Sequence, residues 1–378
     1  MRRPRALPLA STFAATLLLI LLAFAAAPQQ ASATIADDAP FVTHDRWRFK
    51  LDGKPFVFAG YNAYQMPEAA GDWGPVGKLM VKDIMNKAQA SGLTVMRIFG
   101  FAGRLEQNML QTSPGVYNDK IIEAIDYVLA EAAKHDIRVV LVLESYWNTA
   151  LDKEETGRAN GIDKYIKWAE EAAAADGRNL TLTRDDFYTN PDTKRMYKDH
   201  VRAMLTRKNS VNGRVYRDDP TIFSYNIMNE PRCEGCGATL QSWIDEMAAF
   251  VRSVDPNHMI TVGEDGFYSK EFSDPAHLRM NPGAWADDQG QDFIANHAGK
   301  DIDYAGIHIW PDDWNHREVR YQHDWCVRSA RSHARTDART HARARASSLL
   351  SLPRASFPFR TTITRNATQR NIAALRCC

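Results

Sequence analysis

Residues 220–233 read Pro220-Thr-Ile-Phe-Ser-Tyr-Asn-Ile-Met-Asn-Glu-Pro-Arg-Cys233. Thr221 to Met228 is an apolar, β-rich run that predicts a buried strand, and Asn229-Glu230-Pro231 ends it abruptly. Pro231 cannot donate to a strand ladder, so it stops the strand, and it biases Glu230 toward an extended backbone. A carboxylate is thereby held at the carboxyl end of a buried strand with an amide beside it. That end carries the chemistry in parallel α/β proteins. The plainer alternative for three residues is a solvated loop glutamate, and the remainder of the chain decides between them.

Upstream, Leu51-Asp52-Gly53 reads as the tip of a short hairpin between residues 47–49 and 54–56, and Pro55 to Gly60 as a first core strand leading into Tyr61-Asn62-Ala63-Tyr64. Val76 to Ser91 has helical periodicity and is closed by Gly92. Leu93 to Phe99 is a second strand carrying Arg97. Asn118 to His135 is a helix with Asn118 as its N-cap. Ile137 to Leu143 is a third strand that runs into Glu144, Tyr146 and Trp147, and helical stretches follow near 161–175 and 191–207. After the opening stretch come a helix over Leu240 to Val254, a strand over His258 to Gly263, and a polar insert, Glu264 to Lys300, that reads as a loop. Asp303 to Ile309 is the sixth strand and ends in His308-Ile309-Trp310-Pro311-Asp312.

Strand and helix alternate throughout, and short strands apolar on both faces imply a parallel sheet covered by helices. Polar groups recur at the carboxyl ends: Asn62, Arg97, Glu144, Asn229-Glu230 and His308. A (β/α)8 TIM-type barrel, whose site is built from several strand ends, predicts that pattern. The competitor is an open doubly wound sheet, which usually has a Gly-rich phosphate turn after its first strand, and Gly60-Tyr61-Asn62 is not one.

The 378-residue chain is 44% hydrophobic and 25% charged with a net charge of +1, an ordinary globular composition without a global field for nucleic acid or an anionic membrane. Arg2, Arg3 and Arg5, an apolar run from about Phe13 to Ala27, and Ala31-Ser32-Ala33 read as a secretory signal peptide over residues 1–33, with an uncleaved membrane anchor as the alternative. A secreted, extracellular, monomeric protein with no stable membrane insertion after cleavage is the expectation. Secretion permits disulfides. Cys233 and Cys236 have Cys-x-x-Cys spacing with no second pair or His cluster to complete a zinc site, so a local disulfide or two free thiols is expected rather than metal. Asn179-Leu180-Thr181 and Asn366-Ala367-Thr368 match the glycan-acceptor pattern.

Residues 34–326 make up the domain with this patterning. Residues 327–378 hold eleven arginines, one acid (Asp337), no lysine and no glutamate. A basic arm or a disordered tail is one reading, and translation of a wrong frame explains the joint loss of Lys and Glu better. Six core strands precede that tail, and none in it makes a credible seventh or eighth.

With those residues assembled, the chain from Trp47 to Trp325 resembles the endo-β-1,4-mannanases of glycoside hydrolase family five, particularly the plant and fungal type. The resemblance is carried by Gly-Tyr-Asn-Ala-Tyr at 60–64, Gly-Leu-Thr-Val-Met-Arg at 92–97, Asp-Asp-Pro-Thr-Ile-Phe at 218–223, Met-Asn-Glu-Pro-Arg-Cys at 228–233, Gly-Phe-Tyr at 266–268 and His-Ile-Trp-Pro-Asp-Asp-Trp at 308–314. It implies a retaining glycosidase that acts on β-mannan with two carboxyl groups about 5–5.5 Å apart and no metal or organic cofactor. On that resemblance Glu230 is the general acid/base, Asn229 bonds the sugar 2-hydroxyl, Arg97 orients and stabilises the nucleophile, and His308 stands beside the acid/base. Asn62, Trp147 and Trp310 are further substrate-binding candidates, and Trp73 and Trp314 further rings for a sugar face. The plainer readings are a structurally paired arginine, a satisfied core histidine and packed tryptophans.

Two departures stand out. Trp310 occupies a position where the family usually has tyrosine, which replaces a hydroxyl by an N–H donor. The family's nucleophile is a glutamate at the end of strand seven, and the only glutamate after His308 is Glu318, too close to serve. The chain is therefore expected to lack the nucleophile and to have about six of eight β/α units. The competing functions are a β-1,4-glucan endohydrolase and a non-catalytic polysaccharide-binding protein.

Overall fold

The structure, a computed structural model, describes residues 34–45, 48–101, 103–151, 153–310 and 313–314. The expected signal peptide and the Arg-rich tail lie outside those residues.

The chain enters as an antiparallel meander of β1 (Val42–Asp45), β2 (Arg48–Leu51) and β3 (Lys54–Pro55). Asp52 and Gly53 both take positive φ, 52° and 69°, which is the geometry a two-residue hairpin needs to match strand twist. Phe49, Phe56 and Phe58 then pack around Phe223 with ring centroids 5.2–6.3 Å apart. Val42, Val95, Phe223 and Met259 share this cluster. The last three stand at the beginnings of sheet strands, so the meander seals the amino-terminal end of the sheet.

That packing corrects the first core strand. Pro55 to Gly60 is not a sheet strand; β4 is only Gly60–Asn62. Phe56 and Phe58 are drawn into the aromatic plug while Val57 is 81% exposed, so the apolar run serves the seal rather than a ladder. Gly60 is required here, because a Cβ would lie 2.8 Å from the Val95 carbonyl oxygen of the neighbouring strand.

The sheet continues through β5 (Val95–Phe99). A small hairpin of β6 (Gln111–Ser113) and β7 (Val116–Tyr117) lies outside it. The remaining sheet strands are β8 (Arg138–Val142), β9 (Ile222–Asn229), β10 (Met259–Glu264) and β11 (Gly306–Ile307). The order is β4-β5-β8-β9-β10-β11 and each neighbouring pair is parallel. Six strands in sequence order, with intervening helices, form an incomplete (β/α)8 barrel among the described residues. All eight residues of β9 are buried, as a strand covered on both faces must be.

The helices are α1 (Met66–Asp72), α2 (Gly74–Ala90), α3 (Asp119–Lys134), α4 (Ile162–Ala175), α5 (Pro191–Leu205) and α6 (Gly237–Val254). Their ends follow side-chain chemistry. Asn118 caps α3 by accepting from the Lys120 N–H, and Asn190 caps α5 by accepting from those of Asp192 and Thr193. Gly92, at φ 71°, closes α2. Ile121, Ile125, Val128 and Leu129 of α3 are fully buried against the sheet, each worth about 1.5–3 kcal/mol of apolar transfer. No helix among the described residues is long and apolar enough to cross a membrane.

Two further expectations change. The insert after β10 is folded: it contains helical turns at Pro275–Leu278 and Phe293–Asn296. Phe267, Tyr268, Ala286 and Phe293 of this insert form a second core with Ile307, Ile309 and Trp314. Its many Asp and Asn residues are spent on caps and turns, such as Asp292 accepting from Ala295 N–H, which is why composition alone reads as loop. The sixth strand is two residues rather than seven: Asp303 N–H still donates to the Ile260 carbonyl at 2.9 Å, but the Ile260 N–H goes to the Asp303 side chain, which also pairs with Arg252 at 2.5 Å, so a regular ladder does not form there.

Candidate active site

The carboxyl end of β9 is clamped by both neighbours. Asn229 N–H donates to the Glu144 carbonyl at 2.8 Å, Tyr146 N–H donates to the Asn229 carbonyl at 3.0 Å, and Glu230 N–H donates to the Gly263 carbonyl at 2.6 Å. Glu230 itself takes φ 51°. The extended conformation expected before Pro231 is overturned. A non-glycine residue in this region costs roughly 1–3 kcal/mol and persists where surrounding contacts over-determine it.

Those contacts converge on the carboxylate. Oε2 accepts from Trp147 Nε1 at 2.7 Å, while Oε1 pairs with His308 Nδ1 at 2.7 Å and accepts from Trp310 Nε1 at 3.3 Å. Beside it, Asn229 Oδ1 accepts from Arg97 Nη2 at 2.8 Å, and Asn229 Nδ2 donates to Ser145 Oγ at 3.4 Å. Glu230, Trp147, His308 and Trp310 therefore form one group, and Arg97 of β5 and Asn229 of β9 form a second, meeting across the end of the intervening β8. Asn62 is in register with Arg97 and exposed, without a side-chain hydrogen bond among the described residues. Trp73 is 58% exposed at the junction of α1 and α2 and is not one of the donors to Glu230. Trp314 is buried against Phe267, so it packs rather than presenting a sugar platform. Glu144 also departs from expectation. It is fully buried, and its carboxylate accepts from Lys164 and Tyr165 of α4, outside the Glu230 group.

Three residues join the site that the sequence did not single out. Arg232 lies over the rings of Trp147, Phe267 and Trp285, at 4.9, 5.5 and 6.0 Å, and its guanidinium pairs with Asp265 at 2.8 Å. Arg232 follows Pro231 directly, so proximity to Glu230 was its only local signal; Asp265 and Trp285 had none. The turn that follows Arg232 is closed by a disulfide joining Cys233 to Cys236, one of the two states left open by their spacing. Asp185 brings a third ligating atom within 4.8 Å of both sulfurs, but metals take thiolates and these sulfurs are joined to each other.

The electrostatics separate two carboxyl groups. Burial pushes Glu230 upward, but the His308 hydrogen bond and charge and the Trp147 and Trp310 donors outweigh it and hold Glu230 down at about 2. Its folded-state value lies below its ordinary 4.5, so ionised Glu230 stabilises the fold above that pH, and the contribution is lost as pH falls toward about 2. The stability difference between wild type and Glu230→Gln is accordingly expected to change progressively between pH 4.5 and 2 in urea-unfolding series, and a difference constant across that window contradicts the assignment.

Asp265 moves the other way, up to about 6, chiefly through burial and next through the negative charge of Glu230, with Arg232 opposing. A raised acid stabilises the fold when neutral, so its contribution is present below its ordinary 3.8 and is lost as pH rises through about 6. Glu230→Gln is expected to lower the Asp265 titration midpoint, followed by carboxyl-carbon NMR. An unmoved midpoint would show the two groups to be uncoupled.

Chemically, the site is an ionised carboxylate gripped by two indole N–H groups and an imidazole, beside an amide locked by a guanidinium. Such a site can hold a neutral polyhydroxylated ligand and accept a proton. It becomes a proton donor near neutrality only if a second negative charge approaches Glu230 and raises it.

Comparison with known proteins agrees with this geometry. Residues 39–349 match the family described as GH family 5 beta-mannosidase-like. Mannan endo-1,4-beta-mannosidase 1 of Oryza sativa subsp. japonica is 41% identical over 277 residues, covering 72% of this chain and 60% of that protein. Mannan endo-1,4-beta-mannosidase 5 of Arabidopsis thaliana is 38% identical over 281 residues, covering 74% and 61%. The chain thus spans about 60% of the length of these curated relatives. Among solved structures, an endo-1,4-beta-mannanase from Rhizomucor miehei superposes with a TM-score of 0.61 at 29% identity, over 77% of this chain and 78% of that one. A hyperthermostable endo-1,4-beta-D-mannanase from Thermotoga petrophila RKU-1 gives 0.59 at 26% identity, over 73% and 75%.

Proposed function

Because this chain belongs to the glycoside hydrolase family 5 β-mannosidase-like proteins, we propose that its cleft binds β-1,4-mannan and carries the acid/base half of a retaining endo-mannanase site. The observation that carries this reading is the Glu230 carboxylate, held by N–H donors from two other strand ends beside the Arg97–Asn229 pair.

In this reading Glu230 protonates the departing glycosidic oxygen and then takes a proton from the water that releases the sugar. Asn229, immobilised by Arg97, bonds the 2-hydroxyl of the sugar being cleaved. His308 fixes the Glu230 oxygen, and Trp147 and Trp310 offer both an N–H and an apolar ring face. Arg97 would also orient the nucleophilic carboxylate. No glutamate later than Glu318 stands in this chain, so we propose that the polypeptide on its own binds mannan and hydrolyses it little. Secretion as a monomer, with residues 1–33 removed, belongs to the same proposal.

Electrophoresis through gels containing β-mannan or a soluble β-1,4-glucan tests the substrate class. Retardation in mannan alone, weakened by Trp310→Ala, is the expected result. Equal retardation in both gels would favour the glucan reading, and none in either would remove the cleft reading altogether.

A further inference from the structure

Outside the cleft, one stretch combines a chemical signature with an unusual lack of local engagement. After α4 the chain reads Gly177-Arg178-Asn179-Leu180-Thr181-Leu182. Gly177, at φ 73°, turns the helix end, and Arg178 N–H is tied back to the Ala173 carbonyl at 2.8 Å. Leu182 N–H is tied to Glu170 Oε1 at 2.8 Å, and Thr183 donates to Asp186 from both backbone and hydroxyl. The chain is thus pinned on both sides of residues 179–181, which have no regular secondary structure. Asn179 and Thr181 are both exposed, and neither side chain makes a hydrogen bond among the described residues.

We propose that Asn179 is an N-glycosylation site. The pattern Asn-x-Thr with a non-proline centre occurs here with the amide and the hydroxyl both presented to solvent, on a segment that needs no unfolding to be reached. The reaction needs a lipid-linked oligosaccharide diphosphate as co-reactant. The Asn179 amide nitrogen bonds the anomeric carbon as that carbon's bond to the diphosphate oxygen breaks. The lipid diphosphate leaves with the bonding electrons, and one amide proton passes to a base of the transferase. Elsewhere the geometry is adverse for asparagines near the fold's interior: Asn118 and Asn190 are consumed as helix caps, and Asn209 and Asn296 are buried. The other matching tripeptide, at Asn366, lies outside the described residues.

The inference rests on entry into a secretory lumen, so its test separates entry from modification. The full chain is translated with microsomal membranes, once behind its own amino terminus and once behind a foreign cleavable leader, and protease protection reports entry. Peptide mapping after deglycosylation reads the site. The expected result is modification at residue 179 in every protected chain, lost in Asn179→Gln and in Thr181→Ala and kept in Thr181→Ser. Modification only behind the foreign leader supports the site and overturns the chain's own secretory reading. Protected chain that is unmodified at residue 179, or modified only at Asn366, overturns the proposal.

Discussion

Incubated with a soluble β-mannan, the purified 378-residue chain is expected to release reducing ends at least about a thousandfold more slowly than a full-length mannan endo-1,4-beta-mannosidase. A retaining mechanism needs a carboxylate about 5–5.5 Å from the acid/base to form the glycosyl-enzyme intermediate. The loss of that carboxylate, proposed above, would act twice: it would leave the site without its nucleophile, and without the negative charge that would lift Glu230 from about 2 toward a value at which the carboxyl group is protonated at working pH. Asp265 is a poor replacement: its Oδ2 is held by Arg232 at 2.8 Å and accepts from Gln291 at 3.1 Å, and burial pushes the group up to about 6, toward its neutral form. The measurement is a reducing-sugar assay on wild type and Glu230→Gln in parallel. Turnover near that of the full-length relative, abolished by Glu230→Gln, would mean that another group of this chain serves as nucleophile.

The largest expected effect on stability lies one strand away. Glu144 is fully buried at the end of β8, with Lys164 of α4 as its ion-pair partner, Tyr165 O–H at 3.0 Å, and the Ser145 N–H at 3.0 Å on its other oxygen. Lys164→Met removes the cation and leaves a desolvated carboxylate, which costs about 3–5 kcal/mol, a large share of the roughly 5–15 kcal/mol that holds a domain together. Glu144→Gln combined with Lys164→Met is expected to recover most of that loss, because a neutral amide no longer needs the charge. Urea unfolding of the two single variants and the double variant closes the cycle. If Lys164→Met unfolds within about 1 kcal/mol of wild type, water reaches Glu144 and the pair is not isolated from solvent.

The contrast between Glu144 and Glu230 shows where reading by sequence stops. Both are glutamates at the carboxyl ends of strands in one parallel sheet, and periodicity treats them alike. Glu144 bonds α4, and Glu230 bonds Trp147, His308 and Trp310. The choice is made by residues 20 positions away in the first case and about 80 in the second, which no local pattern contains. The left-handed backbone of Glu230 belongs to the same class. The local rule before proline favours an extended conformation, and the bond to the Gly263 carbonyl overrides it.

The sequence by itself determined the alternation of strands and helices, the Asp52-Gly53 turn, the Asn118 cap, the end of β9 and a strand-end polar set of Asn62, Arg97, Glu144, Asn229, Glu230 and His308, without separating Glu144 from Glu230. Each of those is set by neighbours within about one helical turn or by strand periodicity, and the resemblance of the ordered motifs added the chemistry. Tertiary structure alone decided that Phe56 and Phe58 seal the barrel floor instead of forming a strand, and that the polar insert folds around Phe267 and Phe293. It also brought Arg232, Asp265 and Trp285 together beside Trp147 and buried Trp314. These outcomes depend on which side chains meet across the sheet once it has formed. Contacts between distant positions carry that information, and composition and spacing do not.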